Sequence, residues 1–143
     1  MATRIADTPT TATGSGEQWA SASPWYQRAY FEERVGQELY RSRRYKTPTT
    51  VLLVRIPAVS RRAARSLFTF VSSQLRMIDC GGLMGTGDYG LCLPHTPKDG
   101  GEVVASRIRA FMEEYQPLVG VAAYGMDGSD FQALFQAAEA SAS

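Results

Sequence analysis

The stretch Arg76-Met77-Ile78-Asp79-Cys80-Gly81-Gly82-Leu83-Met84-Gly85-Thr86-Gly87-Asp88-Tyr89-Gly90-Leu91-Cys92-Leu93-Pro94 decides how the chain is read. Two short apolar runs, Met77-Ile78 and Leu91–Leu93, flank a glycine-rich centre, the pattern of a β-hairpin with a tight turn. Gly85-Thr86-Gly87-Asp88-Tyr89-Gly90 also matches the dinucleotide-binding pattern G-x-G-x-x-G. That pattern works when it opens a helix, whose N-terminus holds a pyrophosphate. Here a strand and Pro94 follow, so the glycines serve a turn and not a Rossmann site. Cys80 and Cys92 fall on the two arms and can face each other as buried free thiols. Cys92 and His95, the sole histidine, lack a second ligand pair, so no zinc site is expected and no histidine-based triad can be assembled.

Outward from the hairpin, helices and strands mix. Pro24 precedes a helical pattern over 25–44, with Tyr26, Tyr30, Val35 and Leu39 on its apolar side, broken by Thr47-Pro48. Val51–Ile56 reads as a buried central strand. A helix is predicted over 59–74, with Val59, Ala63, Leu67, Phe70, Val71 and Leu75 near helical spacing. Another spans 98–115, with Val104, Ile108 and Phe111 on one face. Leu118–Tyr124 is a strand, Asp127-Gly128 turns the chain, and Ser129 is placed to cap a last helix. The order α-β-α-β-β-α-β-α predicts an α/β (α+β) fold, one central, mostly antiparallel sheet with helices on its faces.

The chain has 143 residues, 44% hydrophobic and 20% charged, with a formal net charge of +1. This suits one domain with a real core. It argues against DNA binding through bulk charge. Two cysteines are too few for a disulfide scaffold and fit a cytoplasmic setting. No apolar run approaches the roughly 20 residues of a membrane span. Residues 1–22, rich in Thr, Ala, Ser and Gly, read as a disordered tail or linker, leaving 23–143 as the domain. Charge is uneven: residues 25–65 carry ten basic and three acidic groups, and residues 66–143 carry four basic and nine acidic. Such runs are solvated helix faces, or they serve an anionic partner or self-association.

Taken together, the segments resemble the GGDEF domain of bacterial diguanylate cyclases over about residues 23–141. Arg76-x-x-Asp79 stands five residues before Gly85-Thr86-Gly87-Asp88-Tyr89, as that family's R-x-x-D stands before its signature turn, and Leu93-Pro94 closes the following strand. Tyr30-Phe31-Glu32-Glu33 and Glu38–Tyr45 resemble its opening helix, Val119-Gly120-Val121-Ala122 its late strand, and Leu134–Ala140 its final helix. The resemblance implies a GGDEF, nucleotidyl-cyclase-like fold in shortened form.

The departures then matter. The family's first strand ends in D-x-D, whose first Asp binds magnesium; the matching positions here are Arg55 and Pro57. A guanidinium is permanently cationic and cannot ligate a hard dication. In the signature turn Thr86 replaces the second glycine and Gly87 the first acid, leaving only Asp88 as a carboxylate. The family's base-reading helical hairpin has no room in the twenty residues between Arg55 and Arg76. No metal, cofactor or catalytic residue is therefore expected, and the chain is expected not to be an enzyme. Arg55 is expected to approach Asp88, balancing charge without a metal. Arg76 and Asp79 match the family's inhibitory site for cyclic di-GMP, and Arg107 falls on a further arginine of that site. Arginine forks suit phosphate or guanine O6/N7, and a carboxylate accepts from guanine N1 and N2. The expected function is a non-catalytic signalling domain that receives cyclic di-GMP. The other reading is a protein-interaction or dimerisation module that binds no nucleotide.

Overall fold

The computed structural model describes residues 25–58 and 60–143. Of the residues before Trp25 it describes only the backbone pairing of Thr11–Ala12 with Ser15–Gly16. The expectation of a disordered tail therefore lies outside the described residues, as does Val59.

Four strands form one antiparallel sheet: β1 (Thr49–Arg55), β2 (Cys80–Gly85), β3 (Asp88–Pro94) and β4 (Leu118–Ala123), in the order β2-β3-β1-β4. β1 is central because it is apolar on both faces. Leu52, Val54 and Ile56 join one core, and Val51 and Leu53 the other. The first core is covered by α2 (Arg61–Ser73) and α3 (Lys98–Phe111), through Leu67, Phe70, Val104 and Ile108. The second is covered by α1 (Arg28–Tyr45) and α4 (Phe131–Ser141), through Phe31, Val35, Leu134 and Phe135. The α+β sheet with helices on both faces is the expected fold.

Several local expectations are corrected. Trp25 and Tyr26 precede α1, and Tyr26 bridges to β2: its N–H donates to Gly81 O, and its carbonyl accepts from Leu83 N–H. The first hairpin arm is Cys80–Gly85, not Met77-Ile78. Gly81 and Gly82 are strand residues, because the Trp25 and Phe31 rings occupy the space their side chains would need. The turn narrows to Thr86-Gly87, with Gly87 at φ 78°, a conformation that favours glycine. Asp130, not Ser129, caps α4, accepting from Ala133 N–H at 2.8 Å. Tyr30, Leu75 and Phe111 are exposed rather than buried. Helix α3 ends at Phe111 and a short 3₁₀ turn follows (Glu113–Tyr115), which leaves Met112 to fill the core in place of Phe111.

Past α4, Ser143 exchanges two backbone hydrogen bonds with Val119, and the Ser141 hydroxyl meets the N–H and C=O of Val121. Cys80 and Cys92 are direct cross-strand partners, free and buried, and burial pushes both thiols well above their ordinary range.

Candidate functional site

Arg55 ends β1 and Asp88 begins β3, and the antiparallel register sets them opposite one another. The ladder continues past them through Ile56 N–H donating to Gly87 O at 2.8 Å, so the signature turn is fixed against β1. Arg55 Nε donates to Asp88 Oδ1 at 2.8 Å and Nη2 to Oδ2 at 2.9 Å, a two-pronged fork. The same Nη2 reaches Glu139 Oε2 of α4 at 3.1 Å. Hydrogen bonds to Asp88 first and Glu139 second hold the guanidinium still more firmly charged than usual. The expected approach of Arg55 to Asp88 is thus found, and Glu139 is an addition that the sequence did not suggest.

These residues line a cleft of about 310 Å³ with Arg28, Glu32, Met84, Phe131 and Gln136. Arg28 donates to Met84 O at 3.2 Å and lies 5.6 Å above the Phe131 ring. Of the three carboxylates that line the cleft, Glu32, Asp88 and Glu139, the Arg55 guanidinium engages the last two. A dication would have to displace a bound, like-signed group. Tyr89 turns to the opposite core and packs on Trp25 at 4.9 Å; burial, then the Asp88 charge, raises its phenol above the ordinary value. Among the described residues between β1 and Arg76 stands one helix, α2.

The three residues expected to hold cyclic di-GMP are placed differently from one another. Arg76 is exposed just past α2. Arg107, exposed on α3, reaches Gln74 Oε1 at 3.5 Å, which brings it to the same end of α2. Asp79 instead meets α1: Arg34 Nη2 lies 2.7 Å from each of its carboxylate oxygens. Burial raises the Asp79 carboxyl above its ordinary value, and Arg34 opposes that shift. The structure therefore brings Arg76 and Arg107 to one region and commits Asp79 to Arg34. Arg34 had no signal in the sequence beyond its place on the polar side of a helix.

The sheet order, the β2–β3 hairpin and the flanking helices give the fold seen in GGDEF domains. The chain is similar in structure to a diguanylate cyclase protein from Thermotoga maritima, with a TM-score of 0.66 and 16% identity over 83% of this chain and 96% of that one. It is similar also to the GGDEF domain of YfiN (TpbB) from Pseudomonas aeruginosa, with a TM-score of 0.65 and 18% identity over 81% and 86% of the two chains. The FimX GGDEF domain from the same organism gives a TM-score of 0.66 at 11% identity, over 82% and 86%. At these identities the likeness is one of fold. No family model and no curated protein matches the chain.

Proposed function

We propose that this chain is a non-catalytic GGDEF-like signalling domain. One observation supports the reading: the Arg55 fork on Asp88, extended to Glu139, sets a fixed cation at the positions that the resemblance matches to the family's metal ligands. Among the described residues a single helix stands between β1 and Arg76, and this supports it, since the resemblance puts a base-reading hairpin there. The ligand that best suits the surviving groups is cyclic di-GMP, held by the exposed forks of Arg76 and Arg107, with Asp79 joining once released from Arg34. Incubation with GTP and magnesium is expected to yield no cyclic di-GMP, and calorimetric titration with cyclic di-GMP is expected to give heat that Arg76→Ala abolishes. Turnover of GTP overturns the non-catalytic reading; absence of heat overturns the receptor role.

A specific observation favours the second reading, an interaction module: the Arg34–Asp79 pair consumes the carboxylate that would read guanine. The diguanylate cyclase SiaD from Pseudomonas aeruginosa, about half of which is similar to this chain in structure, is solved in complex with its activator SiaC.

A further inference from the structure

The outer face of α1 carries a self-complementary charge pattern. Its inner face is spent on the core through Phe31, Val35 and Leu39. Opposite them, Glu33, Gln37, Tyr40 and Arg44 follow one another at alternating spacings of four and three, the seam spacing of a helix that packs along a second helix. All four are exposed, Tyr40 to 59% and the adjoining Tyr45 to 64%. Among the described residues neither Glu33 nor Arg44 forms an ion pair. Together with Gly36 and Arg41 they line an open groove of about 560 Å³.

The groove is also pre-ordered. Arg41 is fixed by buried Glu38 at 2.7 Å, Gln37 accepts from Arg34 at 3.2 Å, and the Arg44 guanidinium lies 5.5 Å from the Tyr45 ring centre. A Cβ at Gly36 would meet nothing within 4 Å, so the helix backbone is bare in the middle of the seam. Tyr and Arg are the side chains that dominate protein interfaces, and a bare glycine lets a second backbone come close.

We propose that this face of α1 binds a second copy of the chain, the two α1 helices crossing antiparallel about a two-fold axis between Gln37 and Tyr40. The sequence suits that arrangement and not a parallel one. With the helices antiparallel, Glu33 of each copy faces Arg44 of the other, and Gln37 faces Tyr40, while Gly36 accommodates Arg41. A parallel pair would set Glu33 on Glu33 and Arg44 on Arg44. Each favourable contact occurs twice, as a two-fold interface requires. The proposal is independent of nucleotide binding.

Sedimentation equilibrium of the full chain, without nucleotide, tests it. A monomer–dimer equilibrium that weakens with added salt is expected. Glu33→Arg and Arg44→Glu alone each place like charges together twice and are expected to weaken the dimer by about tenfold or more. The double variant E33R/R44E restores opposite charges and is expected to recover dimerisation. Gly36→Trp should abolish the dimer while circular dichroism shows the fold kept. A monomer at all concentrations, or a dimer indifferent to these variants, overturns the proposal. So does a double variant no better than the singles.

Discussion

A single guanidinium nitrogen of Arg34 sits 2.7 Å from both carboxylate oxygens of Asp79, joining the middle of α1 to the residue before β2. The pair is half-buried, so each charge depends on the other. Arg34→Ala leaves a part-desolvated carboxylate without its cation, and the expected loss is about 1–3 kcal/mol, read from urea denaturation. The loss should be larger at pH 7 than at pH 4, because Asp79, already raised by burial, can then protonate. If cyclic di-GMP binds as proposed, the same variant frees Asp79 and should tighten binding, not weaken it.

Arg55 is expected to behave as a built-in counter-ion. Arg55→Ala should cost about 1 kcal/mol, since the pair is partly exposed, and should not confer GTP turnover. Arg55→Asp sets a third carboxylate beside Asp88 and Glu139. Its melting temperature should rise on adding magnesium, while that of the parent chain stays unchanged. Thermal scans with and without the ion decide this.

Two glycines should respond to alanine in opposite directions. A Cβ at Gly120 would run into the Ala138 carbonyl oxygen, so α4 must move off β4, at a cost of about 3 kcal/mol. Gly36 sits mid-helix with open space around it within one chain, and Gly36→Ala should stabilise the monomer by about 0.5–1 kcal/mol. Paired denaturation curves check both.

Asp127 accepts from Ala123 N–H at 2.8 Å and pairs with Lys98 at 3.0 Å, the backbone bond contributing most to lowering its carboxyl below the usual range. A carboxylate lowered by folding contributes stability that is full above its unfolded value and is lost as pH falls through its folded value. Asp127→Asn should therefore melt earlier than the parent at neutral pH, with the gap closing below about pH 4. A gap that widens in acid would contradict this.

What was legible in the sequence was what local chemistry sets. Val51–Ile56 announced a central strand, and the glycines of Gly85–Gly90 a tight turn, which the fold narrows to Thr86-Gly87. The resemblance to the GGDEF family, whose matching positions face one metal across neighbouring strands, is what set Arg55 near Asp88 in advance, and the β1–β3 register delivers it. What stayed hidden depends on contacts distant in sequence. Gly81 and Gly82 look like turn residues until Trp25 and Phe31 are seen filling the space above them. Phe111 looks like core until α3 stops and Met112 takes that place. Asp79 suggests a ligand until Arg34, forty-five residues away, is found holding it. A helix's polar side does not reveal which of its arginines the fold will draw inward.

The two outer strands of the sheet offer little free backbone for a stranger to pair with. Tyr26 occupies Gly81 and Leu83 along β2, while Ser143 and the Ser141 hydroxyl occupy Val119 and Val121 along β4. Open strands of this kind are where β-rich proteins zip together into fibrils or trade segments between molecules. With both flanks occupied, strand addition by a neighbour must first peel away Tyr26 or the Ser141–Ser143 stretch. Aggregation on storage should therefore track the fraying of these two short segments and precede global unfolding, and trimming either one should shorten shelf life more than it lowers the melting temperature.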